Sequence, residues 1–191
     1  MTKPIVSTAL MLLHEASAFQ LEDPVAKYLP AFAATQVLGA NGKLEPQARP
    51  MEIRDLLTHT SGLTYDFMED TPVGHLYRDA RIMNDATRSL EEVIDALAKI
   101  PLANQPGSRW HYSVGIDVAA RLIEVLSGRS LGAFLAERVF GPLGMTDTGF
   151  GVANSNLDRL SAMYGLPDLF GQDHTGTCLL YTSPSPRDGL L

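Results

Sequence analysis

Cysteine is almost absent from this chain of 191 residues: Cys178 is the only one, which excludes an internal disulfide and a cysteine-based metal site and leaves the redox compartment open. Basic residues are also few. The 15 Lys and Arg are scattered and outnumbered by 22 Asp and Glu, giving a net charge of −7. Nucleic-acid binders concentrate cations on one surface, so no nucleic-acid partner is expected. Long hydrophobic runs are missing as well. The longest, such as Ala9 to Leu13, fall far short of the roughly 20 apolar residues that a spanning helix requires, so no membrane segment is in view. His14-Glu15 begins like the zinc-binding His-Glu-x-x-His helix, but Ala18 stands where the second histidine is needed, and no metal or other cofactor is implied. No Gly-x-Ser-x-Gly elbow occurs, which argues against an α/β-hydrolase route to ester chemistry.

With 45% hydrophobic and 19% charged residues, the chain can build a packed core. Apolar positions at Ile5, Val6, Ala9, Leu10, Leu12 and Leu13 predict a buried helix over Lys3 to Ala18, with Pro4 tolerated in its first turn. Pro24 and Pro30 punctuate the next stretch, and the sequence to Pro50 reads as turns and short extended pieces. A short helix is expected over Met51 to Thr58, ending in the loop His59-Thr60-Ser61-Gly62-Leu63. Thr64 to Arg88 has no sustained period and reads as a long loop with helical turns. Ser89 and Glu92 form a capping box opening a helix that Pro101 stops. A third clear helix follows Tyr112 and ends at Gly128, and a fourth spans about Leu131 to Val139.

Five segments stand in order: MTKP at the start, LEDPVAKYLPAF, MEIRDLLTHTSGL, WHYSVGIDVAARLIEVLSGRSL and ERVFGPLGMTDTGF. Together they resemble the serine β-lactamase-related family, which includes class C β-lactamases, D-alanyl-D-alanine carboxypeptidases and family VIII carboxylesterases. The resemblance implies an α+β, serine β-lactamase/transpeptidase-like fold. Here it would be a mainly helical part, residues 1–177, without the first and last strands of the antiparallel sheet. An apolar face meant for that sheet is then expected to be uncovered.

The resemblance also implies a mechanism and its residues. Met1-Thr2-Lys3 matches the end of a Ser-x-x-Lys motif whose serine would precede Met1, so Lys3 is the expected catalytic lysine and this chain is expected to lack activity on its own. Tyr112 is the expected general base and acid. The β-lactamase pattern is Tyr-x-Asn, whereas Val114 stands at the third position here, followed by Asp117 as in the family VIII esterases. A small-molecule ester is therefore the expected substrate, with a β-lactam or D-alanyl peptide as the alternative, and a non-catalytic binding protein as the competing class. Tyr65, Phe67 and Ser113 are candidate substrate-binding residues. His59 and Ser61 as a base–nucleophile pair are disfavoured, because neighbours in one loop rarely align imidazole and hydroxyl. The resemblance makes that segment a structural turn.

The chain's end changes character. Cys178 to Asp188 (CLLYTSPSPRD) looks like a sequencing adapter translated in frame, so residues 178–191 are expected to be a read-through tail. His174-Thr175-Gly176 imitates the family's third motif but adjoins that tail, and it is taken as accidental. Any export signal would lie ahead of Met1, so the compartment is left open.

Overall fold

The computed structural model describes residues 2–68, 71–83, 85 and 87–160. The expected tail and the His174-Thr175-Gly176 segment lie outside the described residues.

Helix α1 (Thr2–Glu15) carries Val6, Ala9, Leu10 and Leu13 on its buried face, the i, i+3, i+4, i+7 stripe that its sequence encodes. That face packs on α5 (Gly115–Ser127), the central element of the fold, which also touches α2 (Ile53–Leu57), α4 (Leu90–Leu97) and α6 (Leu131–Leu135). Being surrounded, α5 buries Ile116, Val118, Ala119, Ala120, Leu122 and Ile123, more than one stripe. Gly115 opens α5 where α2 crosses closely: a Cβ there would stand 2.9 Å from the Leu56 carbonyl oxygen. Gly128 ends the helix at φ 65°, a conformation that a residue with a Cβ adopts at a cost.

The expected capping box of α4 is present, with Ser89 Oγ accepting from Glu92 N–H while the Ser89 N–H donates to the Glu92 carboxylate at 2.7 Å. Between α1 and α2 the chain makes two 3-10 turns, Val25–Lys27 and Pro30–Ala34, followed by a minimal antiparallel hairpin of β1 (Val37–Leu38) and β2 (Leu44–Glu45). Val37 also bridges Leu102 in parallel, which draws the 102–107 loop against the hairpin. Helix α3 (Val73–Asp79) is the most regular part of the stretch read as a long loop with helical turns, with Val73 and Tyr77 buried at i, i+4 spacing. Beyond α6 the helix widens into a π turn, Ala136–Phe140.

Among the described residues the sheet amounts to two short strands, so the α component of the expected α+β architecture dominates. No described helix is long and apolar enough to cross a membrane.

Candidate active site

Lys3 lies in the first turn of α1, and Tyr112 lies in the loop that feeds α5, so the packing of α1 on α5 brings the two ends together. The Lys3 ammonium sits over the Tyr112 ring, 4.7 Å from its centroid, and 5.7 Å from that of Tyr65. A cation at this distance from an aromatic face is attracted by the ring quadrupole.

Around this pair the aromatic rings form a row. Phe67 stacks on Tyr65 at 4.8 Å, Tyr65 lies 5.2 Å from Tyr112, and Tyr112 lies 4.8 Å from His59 and 6.5 Å from Trp110. The middle of the row is covered, with Tyr65 only 4% exposed, whereas Phe67 and Trp110 at its ends are 42% and 65% exposed. Burial pushes the Tyr65 phenol well above its ordinary range, and the nearby Asp117 carboxylate and Tyr112 push it further. Tyr65 therefore stays a neutral hydrogen-bonding group.

The Tyr112 loop is held on both flanks. His111 N–H donates to the His59 carbonyl at 2.7 Å, and Val114 N–H donates to the Thr64 carbonyl at 3.3 Å. Buried His111 and Thr64 share a side-chain hydrogen bond of 2.8 Å, and Ser113 N–H donates to His59 Nδ1 at 3.3 Å. The His59 turn is anchored in its own right. Thr60 N–H and Oγ1–H donate to the Asp55 carbonyl and carboxylate, and Asp55 is gripped by both Arg49 nitrogens at 2.7 and 2.8 Å.

The structure thus brings together Lys3, Tyr112, Tyr65 and Phe67. It treats Ser113 differently: the residue has no exposed surface, and its Oγ accepts from Gly115 N–H at the start of α5, so its hydroxyl is turned inward. Val114 is likewise buried, its side chain belonging to the core beside α5. Ser61 is fully buried with its Oγ accepting from Leu63 N–H, which leaves it no role as an exposed nucleophile. Sequence reasoning missed the supporting roles of Arg49, Asp55 and His111, and it read His59 and Thr64 only as parts of a structural turn and the loop it enters. For Asp55, His59 and Thr64 the signal available was the density of polar side chains within MEIRDLLTHTSGLT, whereas Arg49 and His111 lie outside that segment. Among the described residues no group of three or more acidic, histidine or cysteine side chains converges as a metal site.

Comparison with known proteins places the chain as a whole in a family. The Beta-lactamase family model matches residues 1–178. Protein Rv1367c of Mycobacterium tuberculosis is 36% identical over 172 residues, covering 88% of this chain and 42% of that protein. Esterase EstB of Burkholderia gladioli is 37% identical over 152 residues, covering 78% of this chain and 36% of EstB. Among solved structures, EstCE1, described as a hydrolase with promiscuous acyltransferase activity, superposes with a TM-score of 0.73 at 28% identity, covering 97% of this chain and 52% of that one. The fold is thereby that of the serine β-lactamases and penicillin-binding proteins. The chain spans less than half the length of these curated relatives.

Proposed function

The chain belongs to the β-lactamase family, and from that premise we propose that it is part of a serine hydrolase that cleaves carboxylic esters through an acyl-serine intermediate. The observation that carries this reading is the approach of Lys3 to Tyr112, two residues far apart in sequence that meet at the mouth of an aromatic-lined site.

In the proposed reaction the nucleophile is a serine immediately before Met1 in a longer protein. It lies three positions before Lys3, which places both side chains on one face of the same helix. Tyr112, entering the step as its phenolate beside the Lys3 ammonium, takes the serine hydroxyl proton as the oxygen attacks the ester carbonyl carbon. Lys3 orients that hydroxyl and offsets the negative charge that develops. The tetrahedral state collapses with loss of the alcohol, which receives its proton from Tyr112. A water molecule then attacks the acyl-serine, gives its proton to Tyr112, and the carboxylic acid leaves as the serine hydroxyl is restored. The oxyanion would be held by the serine N–H and by a strand of the longer protein.

Burial of Val114 supports esters over β-lactams, since the position that offers an amide side chain in the Tyr-x-Asn pattern here presents nothing to the site. The name of the relative Esterase EstB agrees with this preference.

The test uses the 191-residue chain and a longer protein carrying it. The longer protein is expected to hydrolyse a short-chain nitrophenyl ester much faster than a chromogenic cephalosporin. Y112F should lower that rate by roughly 10²–10⁴-fold, the range for a lost general acid–base group. The 191-residue chain should show no turnover above background. A preference for the cephalosporin would move the assignment to a β-lactamase. Alanine or glycine in place of the expected serine, with ligand binding but no turnover, would make it a binding protein.

A further inference from the structure

Tyr112 has no regular secondary structure of its own, so something other than a helix or strand must fix the direction of its side chain. We propose that His59 is a positioning residue for Tyr112, acting as a clamp on the N–H groups of its two neighbours in the chain, His111 and Ser113. The proposal rests on the reading of Tyr112 as the acid–base residue.

The geometry is direct. The N–H of Tyr112's neighbour on one side, His111, donates to the His59 carbonyl, and the N–H of its neighbour on the other side, Ser113, donates to His59 Nδ1. The imidazole also packs on the phenol ring itself, with centroids 4.8 Å apart and planes inclined by 50°, and Trp110 meets its edge at 6.2 Å. One residue therefore holds the backbone on both sides of Tyr112 and one face of its ring. A shift of the ring acceptor would rotate the Ser113 peptide and swing the Tyr112 side chain relative to Lys3.

His59 makes both contacts from a left-handed backbone, at φ 55°. A residue with a Cβ adopts that conformation reluctantly, and the turn is pinned to allow it. Thr60 is fastened to Asp55, its carbonyl accepts from Gly107 N–H at 2.8 Å, and the Gly62 carbonyl accepts from Ala103 N–H at 2.7 Å. Strain held in place by surrounding hydrogen bonds is a device found at functional sites.

The clamp also sets the protonation state of the ring. Nδ1 can accept from Ser113 only if it carries no proton, so the imidazole must be neutral with its hydrogen on Nε2. Lys3 from α1 and Tyr112 from the adjoining loop are titratable groups facing the ring. Burial and the Lys3 ammonium both push the histidine below its ordinary value, consistent with the required state. With its acceptor committed to a backbone amide, His59 is not available as a base toward Ser61.

Two variants and two kinds of readout test the clamp. In the 191-residue chain, nitrogen NMR of His59 is expected to show Nδ1 unprotonated. The Ser113 amide and the Tyr112 ring signals, the latter assigned with Y112F, are expected to move in H59A. H59N should restore the Ser113 amide signal, because asparagine tolerates a left-handed backbone and its amide oxygen can take the place of Nδ1. In the longer protein, H59A should lower kcat by roughly 10–100-fold, the scale of a misplaced catalytic group, with KM changed little, and H59N should recover most of the loss. Unmoved Tyr112 and Ser113 signals in H59A, a proton on Nδ1, or H59N as impaired as H59A would overturn the proposal. If H59A does not fold, the tautomer and H59N decide. Failure of the wild-type longer protein to hydrolyse esters would defeat the catalytic reading, and the NMR measurements would still decide whether His59 holds Tyr112.

Discussion

The Asp55 carboxylate accepts from both Arg49 guanidinium nitrogens, the Glu52 N–H and the Thr60 hydroxyl, and it is 2% exposed. Burial alone would raise its pKa, but these hydrogen bonds outweigh it and hold the carboxyl below the ordinary value of 3.8. A depressed carboxyl contributes stability that is complete above the unfolded value and is lost as pH falls through the folded one. D55N should therefore destabilise the chain by about 1–3 kcal/mol at neutral pH in urea unfolding, the range for hydrogen bonds to a charged group. The cost stays below that of a fully buried pair because the Arg49 side chain is 35% exposed. The variant should also flatten the loss of stability below pH 3.8. An unchanged acid limb would mean that Asp55 does not hold the His59 turn as described. His59 acts in a higher window with its own sign. A histidine kept neutral by the fold gives stability that is full above its unfolded value and declines as pH falls below about 6.5. H59N should lack that decline. At this scale Lys3 and Tyr112 were legible because their types recur in an ordered set of segments. His59 was legible only as part of a turn, since a left-handed backbone and an acceptor reaching across to Ser113 leave no periodic trace in a sequence.

Elements with strong local signals formed where the sequence placed them. The capping box at Ser89 and Glu92, the apolar stripe of α1 and the Gly128 terminus of α5 each satisfy local physics without help from distant residues. Helix α3 was legible only as helical turns because seven residues hold a single i, i+4 pair, Val73 and Tyr77, too short a pattern to separate from chance. The π turn at Ala136–Phe140 escaped because its sequence continues the α6 pattern, and the widening is a matter of tertiary fit. Two substitutions separate these classes of support. S89A removes a cap on a solvent-exposed helix start and should cost about 1 kcal/mol. I123A empties a site on the central helix with no exposed surface and should cost about 2–5 kcal/mol. Chemical denaturation of both variants checks the order. Equal costs would deny α5 its place as the helix on which the others pack.

Across the whole molecule, the buried apolar residues form one continuous cluster running from α1 to the π turn, so the described part of the chain has a core of its own. Large apolar side chains nevertheless remain exposed on separate elements, including Met11 on α1, Val125 on α5 and Leu143 after the π turn, and two of the exposed aromatic rings, Phe67 and Trp110, flank the proposed site. Trp110 is the one tryptophan of these 191 residues, so indole fluorescence of this chain, or in a longer protein the difference between wild type and W110F, probes that site alone. At 65% exposure its indole lies mostly in water, so the 191-residue chain should show long-wavelength emission that acrylamide quenches readily. If the longer protein closes over the Lys3–Tyr112 face, as the proposed oxyanion strand requires, Trp110 emission there should shift to shorter wavelength and become harder to quench. Emission identical in the two proteins would mean that the remaining chain leaves this face open. The aromatic row would then be a surface that meets substrate from solvent, and the strand proposed to complete the oxyanion site would have to approach from the Phe67 side.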